Sequence, residues 1–81
     1  MNGWTNFATW KVNLEAFDGL TIEDLGFDEN PDTYQLAENL KAYAEGLIDL
    51  ENISSFARDC AKAFLADVDY HQIAKHILEQ A

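Results

Sequence analysis

The chain has 81 residues, of which 48% are hydrophobic, so its composition favours one folded domain over residues 1–81 and argues against intrinsic disorder. Its 15 acidic and 5 basic residues give a net charge of −10, which disfavours nucleic acid and anionic membranes as direct partners because phosphate groups require a basic surface. The only cysteine, Cys60, allows no internal disulfide, and no apolar run resembles a membrane span or signal peptide, so the expected location is the host cell cytoplasm.

The first predicted element is a helix over about residues 6–18. Its apolar face consists of four large side chains at spacings of three and four residues: Phe7, Trp10, Leu14 and Phe17. Asn6 is the expected N-cap, with Thr5 as the alternative, and Gly19 is the expected C-terminal stop. Trp4 precedes this cap, and we expect it to pack against Trp10 in nearly the geometry of a hydrophobic staple.

A connector rich in glycine and acidic residues follows over residues 19–31. Thr21 is followed three positions later by Asp24, a capping pair that predicts one short helical turn, with an extended stretch around Thr21 as the alternative. The second helix is expected to begin at Pro31 or Asp32, since proline suits a first turn, where its missing N–H removes no hydrogen bond.

The second helix has an apolar seam at spacings of four and three residues: Leu36, Leu40, Tyr43, Leu47 and Leu50. Gly46 lies within it and predicts a bend or an early end, because glycine weakens helix interiors. The third helix is expected to begin near Ser54 or Ser55. It is predicted to bury six residues: Phe56, Cys60, Ala61, Phe64, Leu65 and Val68.

The fourth helix is expected to begin at Asp69, which forms a D-x-x-Q variant of the capping box with Gln72. Five residues are predicted to face the core from it: Tyr70, Ile73, Ala74, Ile77 and Leu78. Strand signals are almost absent, since β-branched residues are few and do not alternate with polar ones. We therefore predict an all-α fold, a small single-domain bundle of about four helices with an acidic connector between the first two.

Residues 28–39 partly match the calcium-binding loop of an EF-hand. Asp28, Asn30 and Asp32 occupy its first three ligand positions. The match fails at Thr33, where the sharp turn requires glycine, and at Asn39, where a bidentate glutamate should lie. Favourable interaction of acids with a helix N-terminus explains the same residues, so we predict no metal site.

Nucleophile and base candidates are few. Cys60 lies on the predicted apolar face of the third helix, where cysteine is usually an inert small hydrophobe. His71 and His76 are five residues apart on a helix, so they point in different directions. The chain contains no C-x-x-C, H-E-x-x-H, G-x-S-x-G or glycine-rich phosphate loop. We predict no catalytic residue, no cofactor and no enzymatic activity.

The acidic residues are concentrated in the first half of the chain, because no basic residue lies between Val12 and Leu40. A solvated face that keeps the protein soluble is the simplest interpretation, and a face that binds a basic protein surface is the alternative. Carboxylates at helical spacing lie about 5–6 Å apart, near the separation of phosphates along a nucleic-acid strand. The predicted partner-binding residues are Asp18, Glu23, Asp24, Asp28, Glu29 and Asp32, with Tyr34 as an aromatic anchor.

The opening stretch over residues 3–12, GWTNFATWKV, resembles that of a group of small proteins encoded by phages and plasmids, whose pattern is roughly N-[YF]-x-T-W-x-[VA]. Five residues match it: Asn6, Phe7, Thr9, Trp10 and Val12. The resemblance covers about the first fifteen residues, and where the group often continues with W-x-D-N-[DE], this chain has EAFDG. It implies a mobile-element origin, in which small acidic proteins often counter restriction or CRISPR immunity, and it assigns no catalytic residue.

Charge and resemblance together lead to the hypothesis of an anti-defence inhibitor, either anti-CRISPR or antirestriction. Its acidic, DNA-mimicking face would bind the basic nucleic-acid-binding surface of a host complex. The alternative is a small helical adaptor that binds a protein through an apolar groove, using the seam from Leu36 to Leu50 and the exposed parts of Phe7 or Trp4. Both hypotheses are compatible with a homodimer, because a domain this small gains stability from a partner.

Overall fold

The computed structural model describes residues 3–80 and contains four α-helices, which confirms the predicted all-α bundle. In chain order they are α1 (Phe7–Val12), α2 (Thr33–Asp49), α3 (Ser55–Leu65) and α4 (Tyr70–Glu79). A π-helical segment, Asn13–Phe17, continues α1. No β-strand occurs within residues 3–80, and no helix in that range is both long and apolar enough to cross a membrane.

Side-chain caps set the start of every helix at a predicted position. In each case a side-chain oxygen accepts a hydrogen bond from the backbone N–H three residues later, which satisfies one of the unpaired donors of the first turn. The four caps are Asn6, Asp32, Ser54 and Asp69, with oxygen to nitrogen distances of 2.8, 2.7, 3.1 and 3.1 Å. These starts depend only on residues close in sequence, which is why the sequence predicts them well.

The first helix ends near its predicted position but changes character at Asn13. From there to Phe17 it is a π-helix, whose wider turn rotates the following side chains about the axis. As a result Phe17 is fully buried and Leu14, on the predicted apolar face, is exposed. Gly19 has φ of +81°, as expected for the residue that stops a helix.

The hydrophobic core lies mainly between α2 and α4, the helix pair with the most extensive contact. Ile73 and Ile77 pack there from α4, and Leu36 and Leu40 of the predicted seam are fully buried. The other seam positions are not core. Three of them are exposed: Tyr43, Leu47 and Leu50. The reason is length: the 17 residues of α2 extend about 25 Å, whereas the 10 of α4 extend about 15 Å.

The predicted burial of the apolar side of α3 is wrong for three of its six residues, whereas Val68, just after the helix, is buried as predicted. Phe56, Cys60 and Phe64 are exposed, and no residue of α3 is fully buried. The helix instead turns Ala61 and Leu65 toward the domain, where both are half-buried. On this same side, Asp49 at the end of α2 pairs with Arg58 at 3.9 Å and with Lys62 at 3.4 Å, and exposed pairs of this kind contribute little to stability.

The opening segment of the chain is joined to the start of α4 by hydrogen bonds. The backbone N–H of Asp69 donates to the hydroxyl of Thr9 at 2.9 Å, and the side-chain amide of Asn6 donates to the carbonyl of Asp67 at 2.7 Å. The Thr9 hydroxyl in turn donates to the Asn6 oxygen at 2.7 Å. Asn6 therefore caps α1, and Asn6 and Thr9 together hold the start of α4.

A second set of contacts extends this junction toward the N-terminus. The N–H of Thr5 donates to the side-chain oxygen of Gln72 at 2.8 Å, and the Gln72 amide donates to the carbonyl of Gly3 at 2.7 Å. Trp4 stacks on His76 of α4, with ring centroids 5.1 Å apart. Trp10, which Trp4 was expected to meet, pairs instead with Phe7. The tryptophan before the cap thus packs on α4, not on its own helix.

Two glycines in different backbone conformations give a paired stability prediction. Gly19→Ala is expected to lower the free energy of unfolding by about 1–2 kcal/mol, because an L-residue is strained at positive φ. Gly46→Ala, inside α2, is expected to raise it by about 0.5–1 kcal/mol. An added Cβ meets no atom within 4 Å at either position, so packing does not interfere. Urea unfolding of both variants checks this, and shifts of the same sign would contradict it.

Candidate functional site

The acidic connector, defined here as residues 18–32, is folded against the domain and is not a loose loop. Ile22 is buried in the core, and Leu20, Leu25 and Phe27 pack partly buried against it. The acidic residues lie between these apolar ones in the sequence. Because the apolar side chains pack against the core, the carboxylates face solvent. The connector therefore presents negative charge on a backbone whose position is set by core packing.

Mutual hydrogen bonds shape the middle of the connector into the predicted turn. The carboxylate of Asp24 accepts from the N–H of Thr21 at 2.9 Å, and the N–H of Asp24 donates to the Thr21 hydroxyl at 3.2 Å. The carbonyl of Thr21 accepts from the N–H of Leu25 at 3.3 Å, which closes one helical turn. Asp24 and Asp32, the cap of α2, thus satisfy backbone N–H groups besides carrying charge.

The four remaining predicted acids are exposed to solvent. We call them the outward acids: Asp18, Glu23, Asp28 and Glu29. No connector carboxylate takes part in an ion pair within residues 3–80, where the salt bridges join Lys11 to Glu15 and Asp49 to Arg58 and Lys62. Three of the five bases pair with acids outside the connector, and the other two, Lys41 and Lys75, form no ion pair with a residue in that range. No ion pair therefore compensates the charge of the connector in the part of the chain that the structure describes.

Tyr34 lies in the first turn of α2, directly after this acidic stretch, and is largely exposed. A tyrosine ring offers a large contact area with few rotatable bonds, and its hydroxyl can bond to a polar group of a partner. The structure thus places all seven predicted partner-binding residues on the surface, within one continuous segment of chain.

Two surface clefts lie outside the connector. One, of about 340 Å³, is bordered by the stacked pair Trp4 and His76. The other, of about 300 Å³, lies between α2, the end of α3 and the start of α4, and is lined by Lys41, Glu45 and Tyr70 among others. Neither contains an outward acid. The predicted binding surface therefore lies outside both clefts.

Tyr70 titrates abnormally in the second cleft. Burial, and secondarily the negative charge of Glu45, raises the pKa of Tyr70 to about 12 from an ordinary value of 10.0. Below about pH 10 both the folded and the unfolded chain keep the phenol protonated. Between the two values the folded protein holds this proton more tightly, so we expect the free energy of unfolding to fall as pH rises from about 10 to about 12, by at most about 1.4 kcal/mol per pH unit.

Urea unfolding across this alkaline range measures the effect. Tyr70→Phe removes the ionisable hydroxyl and is expected to show a flatter decline than the wild type. Tyr34→Phe, which removes an exposed hydroxyl, is the matched control and should follow the wild-type curve. Parallel curves for the wild type and Tyr70→Phe above pH 10 would overturn the assignment.

Candidate metal and catalytic residues do not form a group. Within residues 3–80, no three side chains of His, Cys, Asp or Glu are arranged to hold a metal ion. Asp32, the third residue of the partial EF-hand match, is used as the cap of α2. Cys60 lies on the exposed side of α3, and His76 stacks on Trp4.

The feature that the sequence analysis missed is an exposed apolar surface on α3. Its phenylalanines had been assigned to the core because their spacing is that of a buried helix face. Phe56 is 79% exposed and Phe64 is 39% exposed. Phe64 meets Phe7 of α1 edge-on, with ring centroids 6.4 Å apart. One signal was present in the sequence: the apolar residues of α3 cover more of its circumference than one packed face requires.

Comparisons with protein-family models, with curated proteins and with solved structures returned no match to this chain.

Proposed function

We propose that this protein is a phage- or plasmid-encoded inhibitor of a host defence complex, either anti-CRISPR or antirestriction. It binds, without catalysis, the basic surface with which that complex holds nucleic acid, and it does not bind nucleic acid itself. The carrying observation is the uncompensated charge of the outward acids, which face solvent on a connector anchored in the core. The connector acts as a substitute for a phosphate backbone.

Two physical arguments support this assignment. A carboxylate, like a phosphate, accepts paired hydrogen bonds from arginine, so a groove built for nucleic acid also fits a series of carboxylates. The net charge of −10 attracts a basic surface over distance and accelerates encounter. Mere solubility would be served equally well by acids spread over the whole surface. The concentration of acids in one anchored segment is what favours a binding face.

The motif at the N-terminus adds independent support for the mobile-element origin. Its residues Asn6 and Thr9 form the junction with α4, so the motif contributes to the fold and leaves the connector to bind. A shared opening with different connectors would let related inhibitors keep one scaffold and change targets.

Affinity capture from a bacterial lysate, followed by mass identification, tests the proposal. We expect the captured protein to belong to a nucleic-acid-binding complex. Binding should weaken steeply as salt rises, because exposed charges are screened, and duplex DNA or a guide-loaded target should compete with it. Salt-insensitive binding without competition would contradict the proposed function.

A second candidate is an adaptor that binds a protein through an apolar surface. The observation in its favour is the exposure of the C-terminal half of the α2 seam, Tyr43, Leu47 and Leu50. Capture that is lost in Leu50→Asp but kept after neutralisation of the outward acids would favour this candidate over the inhibitor.

A further inference from the structure

The exposed side of α3 is nearly symmetric about Cys60. Residues 56–64 read FARDCAKAF, so a phenylalanine, an alanine and a basic residue lie at equal distances on either side of the cysteine. The symmetry is broken at one pair, Asp59 and Ala61. Five of these residues are exposed on one side of the helix and form what we call the Cys60 stripe: Phe56, Ala57, Cys60, Ala63 and Phe64. The stripe is apolar from end to end.

Within residues 3–80 the stripe is covered only in part, at Phe64, which is 39% exposed and meets Phe7 of α1. An isolated helix of 11 residues is marginal in water, and most helical stability comes from packing an apolar face. The side of α3 that meets the domain is only half-buried at Ala61 and Leu65. The more apolar side, with Phe56 at 79% exposure, points away from it. An additional packing partner would therefore stabilise α3.

We propose that this partner is a second copy of the chain, which packs its own α3 antiparallel against the Cys60 stripe about a two-fold axis at Cys60. In such an isologous contact, each residue meets the one at the opposite distance from the axis. Phe56 packs on Phe64 of the second copy, and Ala57 meets the second copy's Ala63. The aromatic rings fill both ends of the contact, and the small residues let the helix axes approach closely. A heterologous partner has no reason to require this internal symmetry.

Electrostatics selects the same face. Two copies of net charge −10 repel each other across most of their surfaces. The stripe itself contains no charged residue, and α3 carries two bases, Arg58 and Lys62, against one acid, Asp59. Both bases are paired with Asp49 on the domain side of the helix. Repulsion between two copies is therefore smallest when they meet through α3.

The exposed apolar area of the stripe determines how tightly two copies are expected to associate. Phe7 is 51% exposed and adjoins Phe64, so it extends the stripe onto α1. With roughly 200 Å² for a phenylalanine side chain, these rings and Phe56 expose roughly 300 Å² per copy, which is the size of a functional patch. Two such patches together bury roughly 600 Å², which is below the area of stable specific interfaces and in the range of weak, transient contacts. We therefore expect a dimer in reversible, concentration-dependent equilibrium with the monomer.

Sedimentation equilibrium from micromolar to millimolar protein tests the dimer. The wild-type mass should rise from 9.2 kDa toward twice that value, and Phe56→Asp should stay monomeric. Leu50→Asp is the matched control, because Leu50 is 80% exposed, equal to Phe56, and lies outside the stripe; it should dimerise like the wild type. Circular dichroism verifies that both variants are folded. A wild type that stays monomeric, or a dimer unaffected by Phe56→Asp, overturns the proposal.

Oxidative cross-linking tests the position of the axis. With copper–phenanthroline and dissolved oxygen as oxidant, two Cys60 thiols lose two protons and two electrons and form one intermolecular disulfide. We expect the wild type to cross-link much faster than a Cys60→Ser, Leu50→Cys variant, whose thiol is exposed but away from the axis. Equal rates for the two proteins would show random collision and would exclude the antiparallel pairing.

Discussion

Neutralising the outward acids is expected to weaken binding to the basic partner surface at least about tenfold, equivalent to about 1.4 kcal/mol. Each exposed charge pair contributes up to about 1 kcal/mol, and the loss of long-range attraction also slows association. The variant carries four substitutions: Asp18→Asn, Glu23→Gln, Asp28→Asn and Glu29→Gln. Asp24 and Asp32 are kept, because each accepts a hydrogen bond that shapes the backbone. Affinity for the captured partner is measured by calorimetry at low and at physiological salt.

A control of equal net charge separates a specific site from general attraction. It replaces four exposed acids elsewhere in the chain: Glu38→Gln, Glu51→Gln, Asp67→Asn and Glu79→Gln. The control should lose far less affinity than the connector variant and should keep most of the salt dependence. Equal losses in the two variants would mean that only the total charge matters, and the acidic connector would then not be a binding site.

Thr9→Val is expected to destabilise the fold by about 2 kcal/mol, or roughly 10 °C in Tm for a domain of this size. Valine keeps the volume of threonine but removes the hydroxyl, which accepts from the N–H of Asp69 and donates to Asn6. Thr9 is fully buried, so water cannot replace these bonds at low cost. The substitution therefore leaves an unsatisfied donor where the opening segment meets α4. Thermal and urea unfolding measure the loss.

Thr5→Val is the matched control for this prediction. Thr5 belongs to the same junction, where its one hydroxyl proton is shared between the Asp69 carboxylate at 2.9 Å and the Gln72 oxygen at 2.8 Å as alternative acceptors, but it is exposed. Because water can take over these bonds, we expect a loss below about 1 kcal/mol. Similar losses for the two substitutions would show that burial of the Thr9 hydroxyl does not determine its contribution.

The connector variant and Thr9→Val change different parts of the chain and are expected to have different effects. The opening stretch over residues 3–12 supplies a structural junction, while the acids carried by the connector supply the proposed contact. Defects of Thr9→Val should appear as lost stability, and defects of the connector variant as lost affinity with unchanged unfolding. Connector acids that also proved essential for folding would remove the distinction between scaffold and site.

The sequence by itself determined where the helices begin and what the connector contains. Caps such as Asn6 and Asp32 act within three residues of their donors, so their effect can be predicted without knowledge of the fold. The turn between Thr21 and Asp24 is local in the same way. Exposure of the acids also followed from the sequence, because burying unpaired carboxylates costs far more than a small core supplies.

Only the tertiary structure decided which apolar residues are core. Phe56 and Phe64 have the spacing of a buried face, yet α3 turns its other side to the domain, where Ala61 and Leu65 are half-buried. Periodicity defines a face of a helix but not the direction in which that face points, since direction depends on contacts between residues distant in sequence. Within residues 3–80 the connector acids form no ion pair, because the fold places the basic side chains of the helices next to other acids or away from the connector. This too depends on tertiary structure.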